Sequence, residues 1–378
     1  MAVDLRPWLA AQQASSPDQV KRVVYQRNEE DRVESLPHVL DQLPVKKTVQ
    51  GTDSPHQNGD HVSYEMLNRG PHYLMTSHFT DIPPSAPVRG VHRHISAPTL
   101  FCLVGKGWEW NDGKTWDFEQ YDLLVVPPYT QHQHGGDKDL LTRIYVPETG
   151  RVHHLLGLTW REQHKLSEKP TFPEGTEPIY DADGKLRGYR IKRGVLGVDK
   201  DIDVILGTEP QRDATFSARR ASGPWEGPVE NTYDRYRQLM HEEVEFCRDV
   251  THSVHEREQE WELTRFGKLK WLTAPDLPSA AKHKWIYLHE IAAGSRSGRH
   301  RHAAEELVLV LEGRGYDVHD GRRWNWEKGQ LIMIPAMTDH QHFNSGGGKS
   351  LSLHAMAAHY THLELGGIEH LEDAPEDE

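Results

Sequence analysis

Seven positions have the residue types and spacing that suit metal coordination. His300 and His302 stand two residues apart, Glu306 follows four residues later, and His340 comes after Pro335. On a strand, side chains two apart share a face. His300 and His302 therefore point one way and Arg301 the other, and Glu306 keeps their parity if the strand continues. Three imidazoles and a carboxylate form a ligand set for Fe, Mn, Cu, Ni or Zn. On an octahedral ion they leave two positions, enough for a bidentate substrate or for a substrate and dioxygen. His92, His94 and His132 repeat the pattern 208 residues earlier. Pro98 stands at the position of Glu306, so this set is three imidazoles with three positions open. His134 and His342 share the parity of His132 and His340. They are candidate acid–base groups, because an imidazole titrates near neutral pH, or alternative ligands.

The elements that position these side chains also repeat. The same offset relates Gly105 to Gly313, Gly113 to Gly321, Trp116 to Trp324 and Pro127 to Pro335, without a gap. The period is too long for a solenoid and implies two similar domains. Thr99 to Val104 and Glu305 to Leu311 are strand-like. Asp112–Gly113 and Asp320–Gly321 are hairpin turns. Leu123 to Val126 and Leu331 to Ile334 are buried strands that end in proline. Short strands between glycine turns, with no helical period, indicate an antiparallel barrel or jelly roll. On such strands Arg93 and Arg301 face outward, and Trp108, Trp110, Trp324 and Trp326 are packing residues.

The chain divides into a helical arm (1–61), a first barrel (62–160), a connection (161–269), a second barrel (270–365) and an acidic tail (366–378). In the arm, Pro17 and Asp18 open a helix from Gln19 to about Arg32, and a short helix covers Pro37 to Leu43. In the connection, Asp181–Gly184 is a turn between strands. Asn231 to about Trp261 is a helix whose stripe includes Tyr236, Leu239, Met240, Val244, Phe246 and Cys247, a spacer between the cores. The tail from Glu369 to Glu378 is expected to be disordered.

The 378 residues carry a formal charge of −13, which argues against a nucleic-acid surface. No apolar run of about 18 residues is present to span a membrane. The first residues lack the apolar core of a secretory signal. The two cysteines, Cys102 and Cys247, form no closely spaced pair and fit buried thiols of a cytoplasmic protein.

The run Gly298, His300, His302, Glu306 and Gly313, followed by Gly329, Pro335, His340 and Asn344, resembles the two motifs of the cupin superfamily. Met337 stands where that family often has Gly. The first copy departs at Pro98 and at Tyr121, which replaces a Gly. The resemblance covers roughly 62–150 and 270–365. It implies an all-β dominated fold with two jelly-roll barrels in tandem, a bicupin. Length, the missing Glu in the first copy and the helical connection look most like the gentisate 1,2-dioxygenase group. That resemblance implies a non-haem Fe(II) dioxygenase that cleaves a hydroxylated aromatic ring, such as gentisate, salicylate or a hydroquinone. Its iron would sit on His92, His94 and His132, and the protein would be a homo-oligomer. Here the second copy carries the fuller ligand set, so either site could serve. Alternatives are a Mn enzyme like oxalate decarboxylase, an oxygenase of the quercetinase or pirin type, and a non-catalytic metal- or ligand-binding cupin.

Overall fold

The structure is a computed structural model. It describes strands at Val39–Leu40, Lys47–Thr48 and Val62–Glu65, then residues 74–149, 161–164, 176–194, 200–205, 227–358 and 367–375, apart from a few single positions. The helix expected at Gln19–Arg32 lies outside the described residues.

Two barrels are present, and each is a pair of antiparallel sheets. In the N-terminal barrel the five-stranded sheet runs Arg161–Gln163, His92–His94, His132–Gly136, Lys106–Asn111, Lys114–Glu119. Its seven-stranded sheet runs Ser253–Val254, Leu123–Val125, Thr99–Val104, Thr142–Glu148, Thr76–Ile82, Val62–Glu65, Lys47–Thr48. The C-terminal barrel repeats this order. Its five-stranded sheet runs Arg322–Glu327, Arg314–His319, His340–Asn344, Arg299–His302, Ile368–Glu372. Its seven-stranded sheet runs Val39–Leu40, Leu331–Ile334, Glu306–Glu312, Ser350–Met356, Trp285–Ile291, Gly267–Thr273, Glu262–Thr264.

The strand Glu306–Glu312 is buried on both faces, which explains the unbroken run Leu307 to Leu311. One face of each seven-stranded sheet belongs to a core shared between the barrels, where Phe79, Phe101 and Tyr145 meet Leu288, Leu307, Leu309 and Leu353. The opposite face lines each barrel, with Leu100, Cys102 and Ile144 in one and Val308, Val310 and Ile332 in the other. Polar bonds cross the seam in both directions. Glu305 Oε2 accepts from the backbone N–H of Leu74 (2.6 Å) and Met75 (3.1 Å). Lys284 Nζ donates to Thr99 Oγ1 (3.1 Å) and to the Pro147 carbonyl (3.2 Å).

Both expected hairpin turns form. Asp112 and Gly113 take φ of 42° and 94°, and Asp320 and Gly321 take 47° and 82°, the positive values that a two-residue turn between twisted strands requires. The turn at Asp181–Gly184 also forms and joins two strands of a separate three-stranded sheet. Cys102 and Cys247 are buried and form no disulfide with each other.

Four expectations are corrected. The helix of the connection covers Thr232–Asp249, capped by Asn231, whose side chain accepts from Asp234 N–H. It stops well short of Trp261 because Ser253–Val254 leave to pair with the open edge at Leu123–Leu124. Within the segment expected as a short helix, Val39–Leu40 is a strand on Leu331–Ile332, again completing a sheet edge. The tail is not disordered throughout: Ile368–Glu372 pairs with Arg299–His302. Its acidic residues meet arginines on and just ahead of the partner strand, with Glu369 2.6 Å from Arg301 and Glu372 2.8 Å from Arg296. Arg93, expected on an outer face, is buried, on a strand whose edge is paired with Arg161–Gln163.

Candidate metal centres

Each histidine set lies on two neighbouring strands of a five-stranded sheet. His132 is in register with His92, and His340 with His300. The register places the third imidazole beside the His-x-His pair without help from any loop. In the N-terminal barrel the ring centroids of His92, His94 and His132 are 4.1–5.4 Å apart. In the C-terminal barrel those of His300, His302 and His340 are 4.2–5.5 Å apart. In each set one ligand atom per ring lies within 4.8 Å of the others.

The tautomers are set by the backbone. Nδ1 of His92, His94 and His132 meets the carbonyls of Gly90 (3.3 Å), Ser96 (2.9 Å) and Thr130 (2.9 Å). Nδ1 of His300, His302 and His340 meets those of Gly298 (3.3 Å), Ala304 (2.8 Å) and Thr338 (2.9 Å). The same three bonds occur in each barrel, at the same offset of 208 residues. A carbonyl accepts only, so each Nδ1 carries the proton and each Nε2 presents a lone pair. This is the arrangement of a metal-binding imidazole with its outer hydrogen bond in place. His340 Nε2 is buried with no hydrogen-bond partner, a cost that coordination would remove. Burial also disfavours the charged forms of His300 and His340. It takes His300 down to about 3, with the His302 charge adding to the effect, and holds His340 well below its usual value. Both sets therefore fit a divalent ion.

The sites differ in the fourth group. Glu306 does not extend the strand of His302. The chain crosses at Ala303–Glu305 to the seven-stranded sheet, and Glu306 faces the histidines from there. Its Oε2 is 3.1 Å from His302 Nε2 and 3.7 Å from His340 Nε2. Its Oε1 accepts from Tyr287 OH (3.0 Å) and His354 Nδ1 (2.7 Å). Burial opposes its charge, but His354 and His302 outweigh that and hold its carboxyl well below the usual range. The N-terminal site has Pro98 at the position of Glu306, and its His94 is half-buried, whereas all three histidines of the second site are buried.

His134 and His342 sit in register with equivalent carboxyls, Glu109 and Asp317. His342 Nδ1 lies 2.9 Å from Asp317 Oδ2, and Trp326 Nε1 donates to Asp317 Oδ1 (2.7 Å). Burial works against the His342 imidazolium, but Asp317 outweighs it and raises the pKa above the usual value. His134 lies 3.4 Å from Glu109, and Arg89 donates to its Nε2. Burial pushes the Glu109 carboxyl well above its ordinary value, and Arg89 only partly offsets this.

The sequence reading missed His289, His354 and Asp317. With His342, the two histidines form a third cluster in the C-terminal barrel. Each of the three missed residues comes from a different strand and belongs to no spaced motif, so the sequence carried no signal for the group.

Residues 287–356 match the family model described as a cupin domain. No curated protein matches the sequence. The fold is similar to that of a single-residue variant of salicylate 1,2-dioxygenase from Pseudoaminobacter salicylatoxidans in complex with gentisate. The TM-score is 0.53 at 12% identity, covering 99% of this chain and 98% of that chain. A gentisate adduct of the same dioxygenase gives 0.51 at 12% identity, covering 95% and 92%. A deletion variant of the oxalate decarboxylase of Bacillus subtilis gives 0.48 at 14% identity, covering 85% and 79%.

Proposed function

Taking the chain as a bicupin, two cupin barrels in one polypeptide, we propose that it is a metal-dependent oxygenase that cleaves a hydroxylated aromatic ring. A divalent ion, iron first, would be held by His92, His94 and His132. The observation that carries this reading is the trio of imidazoles whose Nδ1 atoms are tied to backbone carbonyls, so that Nε2 is left for a metal. Iron at such a site supplies a template that brings substrate and dioxygen together and a path for electrons between them.

The surrounding residues favour the N-terminal barrel. Pro98 in place of a glutamate leaves more of the ion for exchangeable ligands, and half-buried His94 gives more access than the second site offers. Arg89, beside His134, supplies a positive charge suited to a carboxylate or phenolate substrate. His134 is the candidate acceptor of a phenolic proton. Mn, Cu, Ni and Zn also suit imidazole ligands. A second reading is favoured by Glu306, which gives the C-terminal site the three-His-plus-carboxylate set of a Mn enzyme acting on a small dicarboxylate.

The test is metal content and oxygen uptake, with gentisate, salicylate and hydroquinone as substrates, for the wild type, His92→Ala and His300→Ala. The expected result is bound iron and oxygen uptake with one of these compounds. His92→Ala should lose one equivalent of metal and at least about 10³-fold in rate, a barrier increase of about 4 kcal/mol. Uptake lost only in His300→Ala would move the chemistry to the second barrel. Manganese with carbon dioxide release from oxalate and no oxygen uptake would replace the proposal with the decarboxylase. Bound metal without turnover would leave a binding protein.

A further inference from the structure

We propose that the C-terminal barrel holds a second metal ion, on His289, His342 and His354, separate from the one its His300–His302–His340 set would take. The three imidazoles come from three strands, Trp285–Ile291, His340–Asn344 and Ser350–Met356. Their ring centroids are 5.1–5.9 Å apart, and one nitrogen of each lies within 4.8 Å of the others. All three are at least 96% buried.

The outer bonds of a metal site are already present. Asp317 Oδ2 accepts from His342 Nδ1 (2.9 Å), and Glu306 Oε1 accepts from His354 Nδ1 (2.7 Å). Carboxylates behind Nδ1 fix the tautomer and ring orientation and make Nε2 a better donor to metal. His289 Nε2 is buried with no hydrogen-bond partner. An unpaired buried nitrogen costs about 1–3 kcal/mol, which coordination would remove. Ser352 Oγ, 2.9 Å from His354 Nε2, would give up that nitrogen by rotating its hydroxyl group.

The other barrel gives an internal control. The positions 208 residues earlier are Asp81, His134 and Val146, one imidazole instead of three. Asp81 is paired with Arg143 through two bonds of 2.6 and 2.7 Å, and Val146 is apolar core. The same barrel can thus be built without the cluster. Three imidazoles with carboxylates outside them select a borderline divalent ion such as Zn(II) or Co(II) over Mg or Ca, which prefer oxygen. Glu306 lies between the two sites, with Oε2 toward His302 and Oε1 toward His354.

The test is a count. Full-length protein is stripped with chelator, reloaded with Co(II) or Zn(II), desalted and analysed for metal per chain. The variants are His289→Ala, His300→Ala and the double substitution. Each single variant should lose one equivalent, and the double variant should lose two. A wild-type count in His289→Ala, or a double variant that loses no more than His300→Ala, would overturn the site. His289→Gln preserves bulk and polarity and gives the same difference if the alanine variant does not fold. The count requires no activity, so its failure would leave the oxygenase reading intact, and failure of that reading would leave the count intact.

Discussion

Glu306 is held by more than its place on a strand. Tyr287 and His354 both bond to Oε1, and this leaves Oε2 for the imidazoles of the C-terminal site. Tyr287→Phe should weaken metal binding there about 10-fold, as loss of an orienting partner does, and leave the N-terminal site unchanged. Titration against a chromophoric chelator measures both. Met337 shows a different residue-level effect. It takes φ of 63° in the loop before His340, as Tyr121 takes 73° where the second copy has Gly329. Both positions lack the glycine of the motif yet keep glycine's backbone. Met337 is exposed, so Met337→Gly should relieve left-handed strain at little packing cost and stabilise the protein by about 0.5–1 kcal/mol in urea unfolding, after the added freedom of the unfolded chain is subtracted. The two three-histidine sets were legible because each contains a His-x-His pair and the pairs repeat. His289 and His354 were not. Each is solitary in sequence, and only the folding of distant strands brings them together.

The strands also constrain what their backbones can carry. At Gly315 an added Cβ would lie 1.9 Å from the Phe343 carbonyl oxygen and 2.5 Å from the Trp326 ring, on the sheet that bears the histidines. Gly315→Ala should therefore cost at least about 3 kcal/mol, because backbone or a buried ring must move. At the hairpin glycine Gly321 nothing lies within 4 Å, so Gly321→Ala should cost only the strain of a positive φ, about 1–2 kcal/mol. Chemical denaturation of the two variants compares them directly. The barrel strands and their turns were legible because period, turn residues and repeat agree. The misread elements, Val39–Leu40, the residues beyond Asp249, and Ile368–Glu372, all pair with a sheet edge far away in sequence. Their local composition says little, and an edge in need of hydrogen bonds decides their conformation.

At the scale of the whole molecule, the seam between the barrels contains a buried lysine. Burial lowers Lys284 from 10.5 to about 7, and the charge of Glu148 offsets this only in part. Between those values the unfolded chain holds a proton that the folded chain lacks, so stability should rise with pH from about 7 to 10.5, by at most about 1.4 kcal/mol per pH unit. Below about 7 both states are protonated and this contribution is flat. Lys284→Met should remove the slope. Parallel curves for the two proteins in unfolding across pH 7.5–9.5 would refute the assignment. The seam also has a consequence for how such a chain can arise. Val39–Leu40, ahead of the first barrel, pairs with Leu331–Ile332 of the second, and Ser253–Val254, ahead of the second, pairs with Leu123–Leu124 of the first. Each lead-in segment closes the other barrel's sheet. A polypeptide of one repeat could satisfy the same bonds only by lending its leading segment to a twin and receiving one in return, as a symmetric pair with exchanged arms. The duplicated chain has the bonding pattern of such a pair within one polypeptide.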